Sequence, residues 1–68
     1  MTIVLNGERR DVPADLSVEA LLAHVGRDPR LPGVAVAVRD RVVRRADWAQ
    51  TTVQDGDRVE VITAAQGG

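Results

Sequence analysis

The residues with the clearest chemical potential stand at the end of the chain, where Ala64-Ala65-Gln66 leads into Gly67-Gly68. A carboxylate is a weak nucleophile and a poor electrophile. ATP can activate it as an acyl-adenylate, provided that the tail threads a narrow channel to the nucleotide. Glycine has no Cβ, so two in succession permit close backbone approach and dihedral angles closed to other residues. With no side chain beside the carboxylate, an attacking group meets little steric resistance. The Gly68 carboxylate is therefore the expected working group, and Gly67, Gln66 and Ala65 are the residues a partner would read as it takes hold of the tail.

Other chemistries find little support. The chain has no cysteine, hence no disulfide, no thiolate nucleophile and no cluster ligand. His24 is a lone histidine, which suits surface packing on a helix better than metal binding. Asp55-Gly56-Asp57 is too short for a calcium loop and reads as a turn. Asp15 and Glu19 are explained by helix-cap chemistry. Arg44-Arg45 reads as a solvated strand face, and Trp48 as cover for an edge of the core. There is no Ser-His-Asp set and no Gly-rich phosphate loop, so the chain does not look like a catalyst on its own. Its nine basic residues are all arginine. Without lysine, an activated C-terminus cannot acylate side-chain amines on other copies of the chain.

Composition removes whole classes of function. Acids and bases are mixed and the net charge is −1, so no basic run marks a phosphate backbone. Trp48 is the only aromatic residue, which argues against stacking on nucleobases. The longest apolar run, Val34 to Val38, is far too short to span a bilayer. Met1 leads directly into a short alternating strand with no signal-peptide pattern, and a cytoplasmic location is the expectation.

The elements that must position the tail can be read in order. Thr2-Ile3-Val4-Leu5, then Asn6-Gly7, then a polar stretch closing at Val12-Pro13, predict a hairpin of strands 1–5 and 8–13. Ser17 is a good N-cap, Glu19 suits the positive end of the helix dipole, and Leu16 and Leu21 have the spacing of a hydrophobic staple. Val18, Leu21, Leu22 and Val25 make one apolar helix face, which Gly26 terminates in a left-handed cap. Pro29 and Pro32 punctuate a loop. Val34, Val36 and Val38 alternate with alanines in a central strand. A short strand around Val42-Val43 follows within 41–45, and Val59, Val61 and Ile62 form the last strand. The order ββαβββ predicts an α+β domain of two layers, with first and last strands adjacent in a β-grasp arrangement. That gives a mixed sheet of four to five strands on one main helix, a domain over 1–63 and a flexible tail over 64–68.

Strand parity assigns the two sheet faces. Ile3, Leu5, Val36, Val38, Val59 and Val61 point toward the helix. Val4, Ala35, Ala37 and Ile62 fall on the open face, with Arg58 and Glu60 around them. A small apolar patch rimmed by charge, on the strand that launches the tail, is the candidate partner-docking surface.

The ordered set of residues resembles the ThiS family of ubiquitin-like sulfur carriers over nearly the whole length. The resemblance rests on Asn6-Gly7-Glu8, Ser17-Val18 with Leu21-Leu22, Gly33-Val34-Ala35-Val36-Ala37-Val38, Val43, Arg45 and Trp48-Ala49. It continues through Asp55-Gly56-Asp57, Val59-Glu60-Val61 and Gln66-Gly67-Gly68. Arg39 departs from it where asparagine is usual, and Arg44 where proline is common; both touch only local turn geometry. The resemblance implies a non-enzymatic carrier with no bound cofactor. An E1-like adenylating enzyme would use ATP and magnesium to activate Gly68. A cysteine-derived persulfide would then displace AMP to leave a thiocarboxylate, and thiazole synthase would take the sulfur for the thiazole ring of thiamine. The small subunit of molybdopterin synthase, a ubiquitin-like protein modifier and a regulatory β-grasp domain without acyl chemistry remain alternatives.

Overall fold

The computed structural model describes residues 1–30 and 32–63. The strands are β1 (Thr2–Leu5), β2 (Glu8–Asp11), β3 (Val34–Val38), β4 (Arg41–Val43) and β5 (Arg58–Thr63), with helix α1 (Val18–His24) between β2 and β3. They form one five-stranded sheet in the order β2-β1-β5-β3-β4. β1 and β5 lie side by side and parallel, and the other neighbouring pairs are antiparallel. The expected mixed sheet on one main helix is the observed one.

Asn6 and Gly7 turn β1 into β2 with φ values of +50° and +84°, the mirror-image turn that suits the twist of a tight hairpin. β2 stops at Asp11 rather than reaching Pro13. Pro13 has no N–H to give a ladder. Val12 instead turns inward as a buried core residue, its N–H bonded to the Met1 carbonyl at 2.8 Å.

Helix α1 begins as expected: the Ser17 hydroxyl accepts the Ala20 N–H at 3.1 Å. It closes with Gly26 at φ +84°, the Gly26 N–H on the Ala23 carbonyl and the Arg27 N–H on the Leu22 carbonyl. These are the two bonds of a Schellman cap. Val18, Leu21 and Leu22 are fully buried against Ile3, Leu5, Val36, Val38, Val59 and Val61, so the parity assignment holds for every inward-facing strand residue.

The core is completed by a segment without apolar periodicity. Arg45–Asp47 forms a short 3₁₀ helix, so Arg45 stands outside any strand, contrary to the strand-face reading of Arg44-Arg45. Trp48 follows it into the core, where its indole N–H donates to the Val43 carbonyl at 2.9 Å. The Arg45 guanidinium lies over the ring, 4.4 Å from its centroid, in a cation–π contact. Thr51 to Val53 then pairs with the helix entrance: Val18 N–H reaches the Thr51 carbonyl, and Val53 N–H the Leu16 carbonyl, both at 2.8 Å. This delivers Val53, a core residue that the periodicity did not mark.

The β3–β4 turn is made by Arg39 and Asp40, at φ +52° and +65°. Arginine is a poor choice for the left-handed region, which costs roughly 1–2 kcal/mol for an ordinary residue. Its guanidinium compensates by meeting the buried Asp57 carboxylate at 2.6 Å, and the same carboxylate oxygen accepts the Gln54 N–H at 2.7 Å. Arg39→Asn would relieve the turn but strand part of a buried charge, and a net loss of about 1 kcal/mol is expected. In an Asp57→Ala background the same substitution should be neutral or stabilising. Chemical denaturation of the four variants checks this reversal of sign.

Candidate functional site: the open sheet face and the root of the tail

Gly68, Gly67, Gln66 and Ala65 lie outside the described residues. The structure does describe the strand that leads to them and the surface around it. β5 ends at Thr63, flanked by β1 on one side and β3 on the other. Across β3, Ala35 pairs with Ile62 and Ala37 with Glu60. Across β1, Val4 pairs with Arg58. The six residues expected on the open face therefore share one surface. Ile62 is 61% exposed, Ala35, Arg58 and Glu60 are exposed, and Val4 and Ala37 are half-buried.

The register adds residues that sequence parity had not placed, Val42 and Arg9 among them. Val42 pairs with Ala37 and stands 79% exposed on the same face. Arg9 pairs with Val4. Both follow from two-residue turns at Arg39-Asp40 and Asn6-Gly7, which fix the register of the edge strands. The face is consequently divided. Ala35, Ala37, Val42 and Ile62 line a shallow apolar depression at the β3–β4 end, bounded by Glu60. At the opposite end Arg9 and Arg58 are exposed charges, with Asp11 beside Arg9 on the same face. Such a surface buries apolar area on a partner at one end and steers it by charge at the other.

The remaining sequence candidates separate from this face. His24 is exposed in the last turn of α1. Asp55-Gly56-Asp57 is a structural turn: the Asp55 carboxylate accepts the Thr2 N–H at 2.8 Å, and Gly56 N–H reaches the Thr2 carbonyl at 2.7 Å. Among the described residues no group of three or more His, Cys, Asp or Glu could hold a metal ion. Among them, too, no helix is long and apolar enough to cross a membrane. Asp28 is held below the usual carboxylate range by its side-chain hydrogen bonds to Arg30; this surface pair lies in the loop after α1 and contributes little.

Comparison with known proteins decides what this scaffold is. The model of the ThiS family matches residues 3–68. The chain belongs to the ThiS family. It is 35% identical to the sulfur carrier protein ThiS of Escherichia coli (strain K12) over 68 residues, the whole of both chains. The crystal structure of the thiamine biosynthesis protein ThiS from Geobacter metallireducens superposes with a TM-score of 0.84 at 31% identity, again over the whole of both chains. Its solution structure gives 0.81, with 88% of that chain covered. A thiazole synthase of Paramagnetospirillum magneticum is 41% identical over 68 residues, but there the match spans only 20% of the longer protein. The ThiS family assignment therefore rests on relatives of the same length, and the thiazole synthase contains one segment similar to this chain.

Proposed function

We propose that this chain, a sulfur carrier protein of the ThiS family acting in thiamine biosynthesis, carries its sulfur on the Gly68 carboxylate. The observation that carries the reading is the extent of the family match, which continues from the sheet through Gly67-Gly68 to residue 68. An E1-like enzyme adenylates the carboxylate with ATP and magnesium, and the outer sulfur of a cysteine-derived persulfide attacks the acyl carbon, exchanging the C–O bond to AMP for a C–S bond. A second thiol then cleaves the S–S bond of the resulting acyl disulfide, leaving as a disulfide with the donor cysteine and releasing the thiocarboxylate. The carrier itself is not an enzyme and holds no cofactor. Thiazole synthase is the acceptor, a role supported by the thiazole synthase that contains a segment similar to this whole chain. All of this chemistry belongs in the cytoplasm, where ATP and the persulfide donor are made.

Residues 1–63 act as a rigid handle and 64–68 as the reaching tail. The open face docks the activating enzyme, with Ile62 as apolar anchor and Val4, Ala35, Ala37, Arg58 and Glu60 around it. The test is Ile62→Asp. Because Ile62 is 61% exposed, the variant should fold normally. Its affinity for the adenylating enzyme should drop tenfold or more, since an anchor worth about 1.4 kcal/mol sets that factor. Wild-type affinity in a titration calorimeter would place docking on another surface.

A further inference from the structure

We infer that Asn6 is a positioning residue for the tail, acting by extending the β1–β5 ladder with its side-chain amide. The parallel pairing of β1 with β5 ends at Leu5 and Val59, because β1 then turns away at Asn6-Gly7. The Asn6 main-chain N–H still reaches the Val59 carbonyl at 2.9 Å. Beyond that point β5 has no β1 backbone beside it. Its next residue facing that side is Val61, and the Asn6 amide takes both of its main-chain groups. Nδ2 donates to the Val61 carbonyl at 3.2 Å, and Oδ1 accepts the Val61 N–H at 2.8 Å. A primary amide presents a donor and an acceptor side by side, as a peptide group does, so it substitutes for the missing strand residue. At Thr63 a second tie follows, from the Arg27 guanidinium to Thr63 Oγ1 at 3.1 Å.

The consequence concerns direction. Without the amide, both main-chain groups of Val61 would lose their partner, and the last residues of β5 would be held only by the β3 ladder, through the flanking Glu60 and Ile62. With it, β5 is held along both edges only seven residues before Gly68. A misplacement of about 1 Å can cost a reaction of this kind a hundredfold in rate, and the position and direction of β5 at its end set where the tail begins. Asn6 thus does two separable things: it adopts the left-handed conformation of the turn, and it clamps the root of the tail.

The inference rests on the carrier function proposed above, and the test keeps the two apart. Asn6→Gly retains the positive-φ turn and removes only the amide. Two readouts are expected to change. Hydrogen exchange at the Val61 amide should accelerate about tenfold, the scale of the lost side-chain bonds. Steady-state adenylation by the activating enzyme should lose about tenfold in kcat with little change in KM for the carrier, since the apolar anchor Ile62 and its neighbours Ala35 and Ala37 are untouched. Thr2→Val, which removes the Thr2–Asp11 hydrogen bond at the far end of the sheet, should leave both readouts alone. If Asn6→Gly fails to fold at the assay temperature, Asn6→Asp is read by kcat instead, because it keeps the acceptor for the Val61 N–H but sets a second, repelling oxygen against the Val61 carbonyl; an unaltered kcat would overturn the positioning role. Faster exchange at Val61 with unaltered kcat would overturn the positioning role. Unaltered exchange would overturn the clamp itself. A wild-type chain that no activating enzyme adenylates would instead refute the carrier function and leave the exchange result standing.

Discussion

Deleting Gly68, or adding one residue after it, is expected to abolish ATP–pyrophosphate exchange with the activating enzyme while leaving the fold intact. In the proposed mechanism the reacting group is the terminal carboxylate, and the reach available to it is limited by the number of residues after Thr63, where β5 ends. Removing one residue shortens the reach by about 3.3–3.6 Å when extended, many times the tolerance of an in-line displacement. Adding one places a side chain or an extra peptide where the carboxylate must lie. Either change should lower exchange to background, a far larger effect than any docking substitution. Circular dichroism and thermal melting of both variants should match the wild type, because the last core residue among the described residues is Val61. Undiminished exchange from the extended chain would show that a Gly68 terminus at fixed reach is not what the enzyme requires, and undiminished exchange from a chain with a blocked terminus would show that the carboxylate is not the group activated.

Leu21→Ala is expected to remove most of the domain's stability. Leu21 is fully buried between the helix and the sheet and sits within one core of Ile3, Val36, Val59 and their neighbours. Truncating such a leucine costs roughly 2–5 kcal/mol, counting both lost transfer energy and the cavity left behind. A single core in a chain of 68 residues supplies only about 3–5 kcal/mol in total. No disulfide is available to offset the loss, since the chain has no cysteine. The thermal midpoint should therefore fall by on the order of 10 °C or more. A shift of a degree or two would mean that the helix presents another face to the sheet.

Much of this architecture is legible in the residues. Strand alternation has a period of two, so a correct register fixes every side chain at once, and all six residues assigned to the helix side are buried. Asn6-Gly7 and the Ser17 cap are local signals with local outcomes. What escaped sequence reasoning depends on contacts distant along the chain. Val12 and Val53 are isolated valines in polar surroundings, and only the pairing of residues 51–53 with the helix entrance brings Val53 into the core. Arg39 in a left-handed conformation is tolerable because Asp57, 18 residues on, receives its guanidinium. The same holds for the site. Glycine type alone points to tail chemistry, whereas the hold of Asn6 on Val61 spans 55 residues and leaves no pattern in either segment. Val42 could have been found from the Arg39-Asp40 turn, had arginine not disguised it.

The central claim, that Gly68 carries sulfur as a thiocarboxylate, is tested most directly by the intact mass of the protein. The full-length chain is incubated with its adenylating enzyme, ATP, magnesium, a cysteine-derived persulfide donor and a thiol reductant, and its C-terminal peptide is then fragmented. The account predicts a mass gain equal to the exchange of one oxygen for sulfur, confined to Gly68, dependent on ATP and reversed when thiazole synthase turns over. An unchanged Gly68 in a reaction that consumes ATP, or Gly68 recovered in an isopeptide bond to another protein, would contradict it.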